Sequence, residues 1–184
     1  MAGKHIGILA IHGSVIEHME SLQKLGFTPV EIRATKDLET VEGLILPGGE
    51  STTIGDLAQQ FGLREAIVRF ARSGKTIYGT CAGLILLARY GLLDVKIDRN
   101  AYGRQIHSFE VDLEIPALKG KSFNGIFIRA PKILSAAKSV EILAQFEDSP
   151  ILVKQGNIWG GSFHPELTDD LRIHKLIFQN AKRN

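Results

Sequence analysis

The chain has 184 residues, 44% of them hydrophobic, and 22 basic against 20 acidic side chains leave a net charge of +2. That length and apolar content support one ample core, and with no long linker or low-complexity run the whole of 1–184 reads as a single domain. A near balance of charge without Lys/Arg clustering argues against a nucleic-acid groove, and apolar runs such as 82–88 fall far below the roughly 18 residues of a membrane span.

Strands and helices alternate from the start. Residues 5–11 form a short apolar run suited to a buried parallel strand, and a turn at Gly13-Ser14 leads to a helix in which Val15, Met19, Leu22 and Leu25 recur at helical spacing until Gly26. Strands follow at 28–33 and 43–46, the second running into Pro47-Gly48-Gly49. Helices are predicted over 51–61, with Ser51 as its cap, and 63–72, with Gly74 as a stop, before a strand at 76–78. The pattern then changes: 108–115 alternates strictly, with Phe109, Val111, Leu113 and Ile115 on one side, as a half-exposed antiparallel strand does. Strands at 125–129, 140–146, 151–155 and 158–163 and a helix over 171–182 complete the inventory. The predicted fold is a three-layer α/β architecture: a mainly parallel open sheet with helices on both faces, plus antiparallel strands in the C-terminal half.

Cys81 is the only cysteine, in Gly79-Thr80-Cys81-Ala82-Gly83 between an apolar strand and an apolar helix. This is the pattern of a nucleophile elbow, whose glycines permit a sharp turn that lifts the central side chain into solvent at a helix N-terminus, where unpaired N–H groups favour the thiolate. A buried, inert cysteine is the alternative on residue type alone, and the elbow argues against it. Near the C-terminus, His164-Pro165-Glu166 offers a base with a carboxylate two residues on; held extended by proline, both point to one side, and Glu166 accepts from His164. Pro47-Gly48-Gly49-Glu50-Ser51-Thr52-Thr53 lacks the lysine of a phosphate-binding loop, and beside a reactive cysteine it reads as half of an oxyanion hole at Gly49, with the Ala82 N–H as the other half. His18, His107 and His174 lack partners at ligand spacing, so no metal is expected. The absence of a signal-peptide pattern and the single cysteine fit a cytoplasmic protein.

Taken with Arg99-Asn100, Phe127-Ile128-Arg129-Ala130-Pro131 and 161–168, these motifs resemble the glutaminase subunits of pyridoxal 5′-phosphate synthase, a family of class I, triad-type glutamine amidotransferases. The likeness runs over essentially the whole chain. It implies a glutaminase with Cys81, His164 and Glu166 as the triad, and glutamine contacts from Gly49, Glu50, Ser51, Arg99, Ile128 and Arg129. It also implies a synthase partner in a large hetero-oligomer that consumes the ammonia, and no cofactor, pyridoxal phosphate included, on this chain. Two features depart from the family: Ile11-His12-Gly13 stands where Leu-Gln-Gly is usual, and the segment before Arg99 is short. A glutaminase serving another acceptor, a glyoxalase- or chaperone-type elbow-cysteine protein, and a non-catalytic interaction subunit are the competing classes.

Overall fold

The computed structural model describes residues 3–99 and 108–179. Its first half alternates as predicted: β1 (His5–Leu9), α1 (Val15–Lys24), β2 (Thr28–Ile32), β3 (Gly43–Leu46), α2 (Ser51–Gln60), α3 (Leu63–Arg72), β4 (Thr76–Thr80) and α4 (Ala82–Arg89). The second half contributes β5 (Val95–Asp98), β6 (Ser108–Leu113), β7 (Phe123–Ile128), β8 (Lys132–Ala136), β9 (Glu141–Phe146), β10 (Ser149–Gln155), β11 (Ile158–Gly161) and α5 (Arg172–Gln179).

Seven strands form one sheet in the order β2-β1-β3-β4-β11-β10-β9. The pairings from β2 through β11 are parallel, whereas β10 runs antiparallel to both its neighbours. Successive residues of the central strands face opposite layers, and the core divides accordingly. Leu44, Leu46 and Ile77 pack with Ile54, Ile67, Phe70 and Leu86 of α2, α3 and α4. Ile45 and Tyr78 pack on the other face with Leu22 of α1, Ile177 and Phe178 of α5, and Phe127 of β7. Helices on both faces of a mainly parallel sheet are thus the architecture the sequence predicts.

Some elements differ from expectation. The ribbon β5–β8 was not legible, because Val95 and Ile97 are half-buried and β8 buries only Ile133 along its length. The strictly alternating segment pairs antiparallel with β7 but ends at Leu113, while Ile115 stays buried beyond it. β4 runs two residues past the expected end, straight into the elbow, and β11 stops at Gly161 rather than 163. The terminal helix is described to Gln179; the rest of its predicted span lies outside the described residues.

At the elbow, the close approach of backbones explains its glycines. A Cβ at Gly79 would meet the Gly83 carbonyl group at 2.6 Å, and one at Gly83 would collide with the Leu46 carbonyl oxygen. The first turn of α4 therefore lies against β3 and β4 with no room for a side chain. Gly83→Ala is expected to cost about 2–3 kcal/mol through this overpacking, or roughly 5–10 °C in Tm. Gly74→Ala, where nothing lies within 4 Å but φ is +84°, should lose only about 1 kcal/mol, the left-handed penalty alone. Thermal unfolding of the two variants checks the ranking; equal losses would refute it.

Candidate active site

Three loops at the C-terminal ends of neighbouring strands converge here, following β3, β4 and β11. Cys81 caps α4 with φ 48° and ψ −102°, a conformation rare for a residue with a side chain, and its N–H donates to the Gly161 carbonyl at 2.8 Å. The elbow does not lift the thiol into solvent as expected: Cys81 is only 6% exposed. The end of β7 covers it, and the thiol donates to the Ile128 carbonyl at 3.8 Å. Ala82 is the first residue of α4, so its N–H belongs to the set that a helix leaves unpaired.

The loop after β3 lies against both reacting side chains. A Cβ at Gly48 would sit 2.5 Å from His164 Cε1 and 3.5 Å from Cys81 Cβ. Gly49 has φ +152°, and the Gly48 carbonyl before it accepts from the Ser14 N–H at 3.3 Å. A trans peptide directs the Gly49 N–H away from that carbonyl. His12 is exposed on one side, with its Nδ1 beside Gly49. The cap of α2 is Glu50, not Ser51: the Glu50 carboxylate accepts from the Thr52 N–H at 2.9 Å and the Thr53 N–H at 2.7 Å. A carboxylate can satisfy two helix donors where a serine hydroxyl satisfies one, which places Ser51 inside the first turn. These bonds and the Thr53 hydroxyl draw Glu50 down to about 2.

His164 and Glu166 meet, though not by the expected extended geometry. Pro165–Leu167 is a 3-10 turn with His164 just before it. The fixed φ of Pro165 suits the first position of a helical turn as well as it suits a strand. His164 Nδ1 lies 2.8 Å from Glu166 Oε1, which also accepts from the Ser14 hydroxyl at 2.7 Å. Both residues are buried. Burial alone pulls the His164 imidazole down, but hydrogen bonding and charge from Cys81 and Glu166 outweigh it and raise it to about 10. Burial pushes the Glu166 carboxyl up; His18 behind it and the hydrogen bonds from His164 and Ser14 hold it at about 2. His164 Nε2 is buried without a partner in strict hydrogen-bond geometry, while the thiol rests on the Ile128 carbonyl.

Arg99 joins the same mouth, donating to the Thr52 hydroxyl at 3.1 Å and lying 3.7 Å from Glu50. Ile128 and Arg129 are exposed at the rim above Cys81, and Arg129 has φ +43°. Asn100 and His107 lie outside the described residues. Sequence reasoning missed Ser14 and the roles of His18 and His174. The available signal was position: His18 falls on the same helical face as Val15, Met19 and Leu22, and His174 stands between Ile173 and Ile177, so both imidazoles face a core.

The model of the SNO glutamine amidotransferase family matches residues 8–183. A protein of Pseudothermotoga lettingae named pyridoxal 5′-phosphate synthase subunit PdxT is 48% identical over 186 residues, covering 96% of this chain and 95% of the relative. Its namesake in Moorella thermoacetica is 49% identical over 183 residues, covering 95% and 97%. A crystal structure of a glutamine amidotransferase, 43% identical, superposes with a TM-score of 0.91 over 96% of this chain and 98% of its own. The chain belongs to the SNO glutamine amidotransferase family.

Proposed function

We propose that this chain hydrolyses L-glutamine to L-glutamate and ammonia with Cys81, His164 and Glu166. In this reading it delivers the ammonia to a pyridoxal 5′-phosphate synthase partner in a cytoplasmic hetero-oligomer, with all of 1–184 acting as one domain. The observation that carries the chemistry is the buried His164–Glu166 pair at 2.8 Å beside a cysteine at a helix N-terminus. The acceptor rests on the relatives' shared name, pyridoxal 5′-phosphate synthase subunit PdxT.

The reaction follows from the proton held on His164. An imidazolium near pKa 10 keeps that proton at neutral pH, beside Cys81. The thiolate attacks the side-chain carbonyl carbon of glutamine, and the oxygen that gains the electron pair is met by the N–H groups of Gly49 and Ala82. His164 gives its proton to the departing nitrogen, the C–N bond breaks, and ammonia leaves a γ-glutamyl thioester on Cys81. Acylation removes the thiolate that helped hold the proton, so the neutral imidazole now accepts one from water. Hydroxide adds, the C–S bond breaks, and glutamate and the thiolate are released. In this reading Glu50, Ser51 and Ile128 contact the substrate, and Arg99 and Arg129 are the cations for its α-carboxylate. The Arg99–Glu50 pair is exposed and weak enough to exchange for a substrate carboxylate.

Cys81→Ala is expected to lower kcat for glutamine by at least about 10⁴-fold while leaving the fold intact. Substantial hydrolysis by this variant would sink the triad. Glu166→Gln keeps the shape of the acid but not its charge and should slow turnover by roughly 10² or more; near wild-type turnover would remove Glu166 from the mechanism.

The pH dependence has a definite sign. His164 is raised to about 10, so its proton is present below that value and lost as pH rises through it. Glutamate release measured between pH 7 and 11 is expected to fall on the alkaline side toward 10. Glu166→Gln, which removes the charge that helps hold the proton, should move that limb to lower pH. An alkaline limb unmoved by Glu166→Gln would contradict this assignment.

A further inference from the structure

Beside the second carboxylate oxygen of Glu166 lies a pair of imidazoles that the reaction above does not use. His18 of α1 and His174 of α5 are both 0% exposed. His18 Nδ1 is 2.9 Å from His174 Nε2, and His18 Nε2 is 3.3 Å from the Thr80 hydroxyl oxygen and 3.5 Å from Glu166 Oε2. His174 Nδ1 and Glu166 Oε2 are both buried with no partner in strict hydrogen-bond geometry.

Two proton arrangements are compatible with these contacts. If His18 carried its proton on Nδ1 and gave it to His174, its bare Nε2 would turn a lone pair toward a carboxylate oxygen. His174 would then have to protonate Nδ1, burying an N–H with no acceptor, at a cost of about 1–3 kcal/mol. In the other arrangement His174 Nε2–H donates to His18 Nδ1, and His18 Nε2–H faces Glu166 Oε2 and Thr80. Only an acceptor, His174 Nδ1, is then left unpaired. Both counts select the second arrangement. Burial pushes both imidazoles down, His174 to about 3, in keeping with two neutral rings.

We propose that His18 is a positioning residue for Glu166, a neutral imidazole protonated at Nε2 whose N–H faces Oε2 and whose tautomer His174 fixes from behind. The inference rests on the reading of Glu166 as the acid of the triad. Oε1 is held by His164 and Ser14, so an N–H dipole on Oε2 fixes the plane of the carboxylate and with it the ring of His164. The array runs from Cys81 through His164, Glu166 and His18 to His174.

The tautomer is read directly by ¹⁵N–¹H correlation spectroscopy of the full chain carrying ¹⁵N-histidine, at neutral pH. A neutral His18 with Nε2 protonated and Nδ1 bare is expected; a proton on Nδ1, or on both nitrogens, would overturn the proposal. Glutamate release then separates positioning from packing. His18→Leu is expected to lower kcat about ten- to hundredfold with KM for glutamine nearly unchanged, and His18→Gln, which keeps an N–H donor, to recover most of that loss. Equal losses in both variants, or a loss confined to KM, would overturn it. Should His18→Leu fail to fold, the spectroscopic result decides alone. Activity surviving in Cys81→Ala would instead remove the triad reading, leaving the tautomer of His18 as found.

Discussion

A carboxylate buried in the middle of the protein is the constraint that organises this site. Taking an ionised Glu166 out of water costs several kcal/mol unless donors replace the lost solvent. The fold gathers its partners from separate places: Ser14 from the loop before α1 and His164 from the turn after β11 meet Oε1, and the His18 ring of α1 lies 3.5 Å from Oε2. None of them is adjacent in sequence to Cys81, yet each bears on it through His164. A change in any of these segments therefore reaches the thiol electrostatically, even where it leaves the elbow untouched.

The backbone at the site carries strain of its own. Among the described residues, the non-glycine positions with positive φ are Cys81, Arg129 and Glu147. Glu147 sits in the tight turn between β9 and β10, where such a conformation is ordinary. The other two are linked at the site, where the carbonyl of Ile128, the residue before Arg129, accepts the Cys81 thiol. Each such residue costs of order 1–3 kcal/mol and persists only where its surroundings over-determine it. For Cys81 the surroundings are the parallel pairing of β4 with β3 and β11, and the gapless seating of Gly83 on Leu46.

How much of this was legible follows from what periodicity can carry. The α/β alternation and the helix at Leu63–Arg72 were readable because buried parallel strands are continuously apolar and amphipathic helices repeat at 3.6. The proximity of Cys81, Gly48, His164 and Glu166 was readable because glycines and a proline mark strand ends, where open α/β sheets gather their polar groups. The covering of Cys81 by β7 was not, since it depends on how an antiparallel ribbon folds back over the sheet. Nor was the His18–His174 contact, made between residues 156 positions apart. The extended reading of His164-Pro165-Glu166 failed because proline restricts φ without choosing between strand and helical turn.

The site also lies on the seam between the two halves of the core. The elbow helix α4 packs on β3 and β4 and against α2 on one face of the sheet, whereas Tyr78, Phe163 and the apolar residues of α5 fill the other. The separation of Cys81 from His164 is thus not set by either core alone. It is set by the register of β4 with β11, where Gly161 pairs with Thr80 and the Cys81 N–H donates to the Gly161 carbonyl. Backbone hydrogen bonds are stiff and indifferent to side-chain volume, whereas packed side chains yield by fractions of an ångström when a neighbour changes. Substitutions within either core therefore act on stability first. The chemistry is exposed chiefly to changes that move the ends of β4 and β11 relative to each other, or that alter the charges gathered around Glu166.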